Sequence, residues 1–378
     1  MKILIAPDAF KGSLTANEAA AAMRAGVERA MPEAETICLP VADGGEGTMA
    51  ALVSATDGNV KTLTVNDPLG RQTEAQLGIL GDGETTVIEL AQASGLLLLA
   101  PDELNPMHAS TYGTGQLIRQ ALDDGYRKLI IGLGGSATND GGTGLLEALG
   151  VKFSDADGNL LQMKGSALPQ IAGIDCSQLD GRLKTADIRI ASDVQNPFVG
   201  ENGASSIFGP QKGADEQMVK ALDDGLRHFA DLTEQQTGMR LHDYQGAGAA
   251  GGSAGALLAY CGANLESGIE VVLETAGFAK HLAAADFILT GEGRTDLQTL
   301  EGKALMGIAK TAKANEVPVA VISGSIEEQA RPLLEQWFSV LCALDEGGHP
   351  ATELMADAAN HLAARTAELM PNLPAAFQ

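Results

Sequence analysis

A chain of 378 residues exceeds what one hydrophobic core usually serves, so two domains are expected. Its 45% apolar and 20% charged content is that of a globular protein in water. The 25 basic and 49 acidic side chains leave a formal charge of −24, which argues against nucleic acid or an anionic membrane as partner. Any anionic substrate must therefore be met by local positive groups. No segment nears the roughly 18 apolar residues of a membrane span. The opening apolar run is far too short for a secretory signal, so the cytoplasm is the expected compartment. Cys38, Cys176, Cys261 and Cys342 form no CxxC pair, which points to reduced thiols rather than a disulfide framework or zinc site.

In chain order, residues 3–6 read as a short buried strand, followed by the loop Pro7-Asp-Ala-Phe-Lys-Gly-Ser13. Ser13 and Thr15 are both candidate caps for a helix over 16–30, and Glu18 would complete a capping box with Thr15. A strand over 37–41 ends in Ala42-Asp-Gly-Gly-Glu-Gly-Thr48 and leads to a helix over 49–55. This βαβα opening is that of a parallel sheet. The rhythm changes near residue 60. Strands at 60–65, 72–80 and 85–90, joined by turn-rich segments, imply antiparallel hairpins. A helix over 115–124, a strand at 129–133 and a helix to Leu149 come next. They are followed by a strand at 188–191, an amphipathic helix over 215–237 and a Gly/Ala/Ser run at 246–255. Simple alternation returns from Asp286, with strands at 287–289, 317–323 and 340–344 and helices at 303–314 and 352–369. The predicted fold is α/β. Residues 1–60 and 285–378 form a discontinuous Rossmann-like parallel-sheet domain, and 61–284 an inserted mixed α/β domain. Residues 105–150 fit either.

The densest chemistry follows the strand at 287–289. Thr290, Gly291 and Gly293 break it, and Glu292, Arg294, Asp296, Glu301 and Lys303 follow before a helix opens. Open α/β sheets bind ligands at the carboxyl ends of strands, and a helix start adds N–H groups suited to phosphate. Other loops repeat the mixture: Asp8 with Lys11 and Ser13, Asp43 with Glu46, Asp193 with Asn196. Phosphoryl transfer needs cations and N–H groups against phosphate, carboxylates for Mg²⁺ and a carboxylate beside the accepting hydroxyl. Each loop alone has a plainer reading: Asp8 capping a turn, Asp43-Gly-Gly and Asn66-Asp-Pro as turns, Lys212 solvated ahead of its helix. Gly132-Leu-Gly-Gly-Ser-Ala137 fits a GxGxxA dinucleotide fingerprint after a strand, but Asp155, near the spacing of its acidic partner, lies in a turn. Gly246-Ala-Gly-Ala-Ala-Gly251 lacks the preceding strand. Walker, protein-kinase and GxSxG signatures are absent, and the six histidines lack zinc-site spacing.

Taken together, the loops resemble those of the type I glycerate kinase family, which includes the bacterial glycerate 2-kinases. The matching pieces are 7–13, 42–48, Gly134-Gly-Ser-Ala-Thr-Asn-Asp-Gly-Gly-Thr-Gly144, Ser192-Asp-Val-Gln-Asn-Pro197, Phe208-Gly-Pro-Gln-Lys-Gly-Ala214, 246–252 and 290–298 with Gly302-Lys303. They run in order over nearly the whole chain. The resemblance implies transfer of the ATP γ-phosphoryl group to D-glycerate with Mg²⁺, 2-phosphoglycerate being favoured over 3-phosphoglycerate. It also implies two α/β domains with the active site in the cleft between them. Carried onto these motifs, Lys11 and Ser13 face the substrate carboxylate or a phosphate, with Asp8 beside them. Arg71 and Arg294 are further carboxylate or phosphate clamps. Asp193 or Asp296 would deprotonate the glycerate hydroxyl, and Lys303 would offset charge on the transferring group. Asp43, Glu46 and Glu292 are the Mg²⁺ candidates, and Gly134, Gly135, Ser136, Gly291 and Gly293 the ATP phosphate cradle. Two readings stay open beside this one: an NAD(P)-linked oxidoreductase using 132–137, and a non-catalytic two-domain small-molecule binding protein. The sequence does not set the group that stacks on adenine, nor the oligomeric state, homo-oligomer included.

Overall fold

The computed structural model describes residues 1–301, 304–348 and 351–373. The chain separates into two compact units. The first holds Met1–Asp43, Ala50–Asp57 and the chain from Ile269 onward; the second holds Gly44–Met49 and Gly58–Gly268. The division thus falls at Gly268 rather than near residue 285, and residues 105–150 lie in the second unit.

The first unit is built on a parallel five-stranded sheet in the order Val340–Ala343, Val319–Ser323, Phe287–Thr290, Lys2–Ile5, Glu35–Cys38. Counted along the chain this is 2-1-3-4-5, a doubly wound order that reverses between the first and third strands. Its central strands are covered on both faces, which explains why they read as unbroken apolar runs. Ile3, Leu4, Ile5, Phe287, Ile288 and Leu289 are all fully buried. Ile3 pairs with Phe287 and Ile5 with Leu289 across the reversal.

Helix Ala16–Ala30 turns Ala19, Ala20, Met23 and Val27 inward. It lies close to helix Ala358–Leu369, since a Cβ on Gly26 would sit 2.4 Å from the Ala363 carbonyl oxygen. Thr15, not Ser13, caps it: Thr15 Oγ1 accepts the Glu18 N–H at 3.2 Å, and the Glu18 carboxylate accepts the Thr15 N–H at 2.8 Å. The Ser13 hydroxyl instead donates to the Phe10 carbonyl at 2.9 Å. Thr15→Ala removes half of this reciprocal box and is expected to lower stability by about 1 kcal/mol in urea titration; an unchanged midpoint would show that the box adds nothing. The helix expected over 352–369 is two, Ala351–Ala356 and Ala358–Leu369, broken where Asp357 leaves helical geometry at φ −132° and ψ 38°.

The second unit carries a six-stranded sheet in the order Asn264–Glu266, Asp187–Ala191, Lys128–Gly132, Thr85–Glu89, Gln72–Ile79, Asn59–Asn66. The first four are parallel and the last two antiparallel. The hairpin turn after Asn66 is held by Asp67, whose Oδ1 accepts the Leu69 and Arg71 N–H groups at 2.8 Å each. Helix Glu216–Thr237 brings Phe229 into an aromatic core, stacked 6.2 Å from Tyr260 and edge-on to Phe153. Among the described residues, no helix is long and apolar enough to cross a membrane.

Candidate functional site

In the first unit, three loops leave the carboxyl ends of adjacent strands, after Ile5, Cys38 and Thr290. Backbone bonds tie them: the Val41 N–H donates to the Pro7 carbonyl at 3.0 Å and the Asp8 N–H to the Gly291 carbonyl at 2.9 Å. The loops on either side of the sheet's reversal press together. A Cβ on Gly293 would lie 3.1 Å from the Lys11 backbone nitrogen, and one on Gly291 only 1.9 Å from the Ile322 carbonyl oxygen. Gly291 and Gly293 are therefore explained by backbone approaching backbone. That same closeness brings Asp8, Lys11, Glu292, Arg294 and Asp296 to one edge of the sheet, with Asp43 on the neighbouring loop.

The polar geometry there is ordered. Glu292 is buried, and its Oε1 accepts from the hydroxyls of Thr295 at 3.0 Å and Thr299 at 2.8 Å. The Thr295 hydroxyl also lies 2.6 Å from Ser323 Oγ. Asp296 Oδ1 accepts the Gln298 N–H at 2.9 Å, while its Oδ2 lies 3.3 Å from Arg294 Nε. Lys11 and Arg294 are exposed cations. Lys303 lies outside the described residues.

The second unit has its own convergence of loops. The Gly141 N–H donates to the Gly251 carbonyl at 2.9 Å, and a Cβ on Gly251 would be 2.1 Å from the Thr138 carbonyl oxygen. A Cβ on Gly134 would lie 2.6 Å from the Gly45 Cα, and one on Gly44 2.3 Å from the Ala191 carbonyl oxygen. Both fingerprint-like glycine runs thus serve contacts between protein loops. Ser136, between them, is buried and accepts a hydrogen bond from Lys212 Nζ at 2.8 Å.

Lys212 corrects the sequence reading. It is 1% exposed rather than solvated, and it also donates to the Thr138 carbonyl at 2.7 Å. Burial pushes its ammonium down to about 7, with the charge of Asp140 opposing. The available signal was its setting between Gly209 and Gly213. Gly213 sits at φ +91°, with a Cβ position 2.2 Å from the Leu104 carbonyl oxygen, so this turn is packed inside. Asp140 was also passed over. Its buried carboxylate accepts from the Thr111 N–H and hydroxyl at 2.8 Å each, from Gly142 N–H at 3.0 Å and from Gly144 N–H at 3.2 Å. Burial raises its carboxyl above the usual carboxylate range, and those donors pull the other way. Glu89, at the end of its strand, accepts the Met49 N–H at 2.8 Å at the start of helix Thr48–Ala55. Burial raises that carboxyl too.

Two expected site residues are engaged within the second unit. Asp193 Oδ1 accepts from the Ser267 hydroxyl at 2.8 Å and the Gly268 N–H at 3.0 Å, tying the 192–197 loop to the chain that leaves the last strand. Arg71, expected to clamp an anion, is itself held by Glu103 at 2.6 Å and Asp67 at 2.6 Å, and these two carboxylates keep its guanidinium above its ordinary value.

A nucleotide and Mg²⁺ fit the residues present. The Thr48 hydroxyl is fully buried beside the glycine loop 44–47 and has no hydrogen-bond partner among the described residues, which suits a phosphate oxygen. Among the described residues, no three His, Cys, Asp or Glu side chains form a metal cage. Mg²⁺ does not require one, since it takes one or two carboxylates and completes its shell with water and phosphate.

A model of the glycerate kinase family matches residues 3–373. The chain is 47% identical to a glycerate kinase of Bacillus subtilis (strain 168), over 96% of this chain and 95% of the relative. It is 45% identical to a glycerate 2-kinase of Escherichia coli (strain K12), over 98% of this chain and 100% of the relative. The crystal structure of a Salmonella typhimurium LT2 chain, provisionally named glycerate kinase 2, superposes with a TM-score of 0.87 at 40% identity, covering 98% of each chain.

Proposed function

The chain belongs to the glycerate kinase family, phosphotransferases with an alcohol acceptor, and on that premise we propose that it moves the γ-phosphoryl group of ATP onto D-glycerate with Mg²⁺, yielding 2-phosphoglycerate. The observation that carries this reading is the reversal point of the first unit's sheet, where ligands of doubly wound folds bind. The loops on its two sides supply Asp8, Lys11, Glu292, Arg294 and Asp296.

Lys11 and Arg294 hold anionic oxygens of glycerate or phosphate; a guanidinium fork matches both. Asp296 takes the proton of the accepting hydroxyl as the hydroxyl oxygen bonds to the γ-phosphorus and the bond from that phosphorus to the β,γ-bridging oxygen breaks, releasing ADP, and Asp8 with Ser13 orients the acceptor. Asp296 is preferred to Asp193 as base because it stands with Lys11 and Arg294 at the reversal point of the first unit's sheet, whereas Asp193 ties the 192–197 loop to Ser267 and Gly268 in the second unit. Bound Mg²⁺ would neutralise charge on the phosphates, and one or two of the candidates Asp43, Glu46 and Glu292 would hold it. In the second unit, Gly134, Gly135, Ser136 and Thr48 are assigned to phosphate oxygens. Lys303 keeps its assignment to the transferring group. Position 2 is preferred because the Escherichia coli relative is named a 2-kinase. We assign the protein to the cytoplasm, with which four free cysteines agree.

The test is ADP release from Mg·ATP with D-glycerate, L-glycerate and glycerol in parallel. Release with D-glycerate alone is expected. The ³¹P signal of the product should be a doublet, because carbon 2 carries one hydrogen. A triplet would move the phosphate to carbon 3, and no release with any of the three would overturn the reading.

A further inference from the structure

Lys212 is the costliest residue in the second unit to explain by stability. A fully buried ammonium loses its hydration, and an apolar chain of similar volume usually serves a core as well or better. Its two hydrogen bonds go to residues on either side of Ala137: the Ser136 hydroxyl at 2.8 Å and the Thr138 carbonyl at 2.7 Å. A second segment ties the same loop, by the Ala137 N–H to the Ser94 carbonyl at 2.9 Å and by the Leu96 N–H to the Gly135 carbonyl at 2.9 Å. The loop is therefore gripped by two segments over the residues assigned above to phosphate. Its own polar atoms are not all used: Thr138 Oγ1 and Asn139 Oδ1 are buried without hydrogen-bond partners among the described residues.

We propose that Lys212 is a positioning residue for phosphoryl transfer: from inside the protein, its amino group sets the conformation of the Gly134–Asp140 loop and, while protonated, lends that loop positive charge. This rests on the kinase reading above. Charge placed in a low-dielectric interior acts over several ångströms, so the group need not touch a phosphate to favour one. The turn that carries Lys212 is itself fixed, since its N–H donates to the Gly209 carbonyl at 3.0 Å and Gly213 abuts Leu104.

The experiment compares wild type, Lys212→Met, Ser136→Ala and the double variant by steady-state kinetics and by amide hydrogen exchange. Lys212→Met is expected to lower kcat/KM for Mg·ATP by roughly 100-fold, the scale of a misplaced site. The double variant should be no worse than Lys212→Met alone. Exchange should quicken in residues 134–144 and stay unchanged elsewhere. Wild-type constants in Lys212→Met, losses that multiply in the double variant, or faster exchange throughout the chain would each overturn the proposal. If Lys212→Met does not fold, Lys212→Gln, which keeps a donor and loses the charge, is read on the same constants. Wild-type rates there would eliminate the role of the charge. The exchange measurement does not depend on turnover. A wild type inactive on D-glycerate would therefore sink the kinase reading, while the anchoring of the loop would still be decided.

Discussion

Asp296→Asn is expected to cut turnover with D-glycerate by roughly 100-fold or more, with the thermal transition unmoved. The substitution keeps the size of the side chain, and its amide oxygen still accepts the Gln298 N–H that holds the loop. What it loses is the ability to receive a proton and the charge facing Arg294 at 3.3 Å. The side chain retains 20% of its exposure, so removing the charge leaves no uncompensated group in the core. Measuring kcat beside a circular dichroism melt separates the two effects. An unchanged kcat would remove Asp296 from the chemistry and return Asp193 to consideration.

Asp140→Asn is expected to damage the fold instead, costing roughly 1–3 kcal/mol, as leaving a buried donor without its acceptor does. Its carboxylate is met only by donors, from Thr111, Gly142 and Gly144. An amide NH₂ on either side would point a donor at donors. Urea unfolding of the variant reads the loss, and a midpoint equal to wild type would show that the network carries no stability. The pH dependence has a definite sign. Burial raises this carboxyl in the folded protein, so the unfolded chain gives up its proton first. Stability from Asp140 therefore falls as pH climbs from the ordinary carboxylate range to the raised value. Lys212 acts in the opposite sense. With its ammonium pushed down to about 7, the unfolded chain binds the extra proton between there and the ordinary lysine range, so stability from this group rises with pH across that interval.

The parallel strands were readable because both of their faces are buried. Phe287 to Leu289 and Leu129 to Ile131 are apolar without interruption, and the helix over 16–30 keeps its inward alanines at helical spacing. The strand Asn264–Glu266 was not readable, since three residues at a sheet edge show no period. The site divided in the same way. Asp8, Glu292 and Asp296 stand at the ends of recognisable strands, so their common edge follows from topology. Lys212 and Asp140 sit in glycine-rich turns, where spacing says nothing about exposure and only the packed fold reveals burial. Arg71 had a local partner visible four positions earlier in Asp67. Its second partner, Glu103, comes from a distant turn and could not be foreseen.

The first unit's sheet also fixes an order of assembly during synthesis. The Thr290 hydroxyl donates to the Ala6 carbonyl across a separation of 284 residues. Strand Lys2–Ile5 therefore emerges from the ribosome with one neighbour soon available and its other edge bare until Phe287–Thr290 is made. At about 5–20 residues per second, that edge waits on the order of 10–50 seconds. The strands of the second unit's six-stranded sheet all lie between Asn59 and Glu266 and are complete in the meantime. The edge that carries Asp8 and Asp296 is thus among the last features of the protein to exist, and the nascent first strand needs shielding from other chains until then.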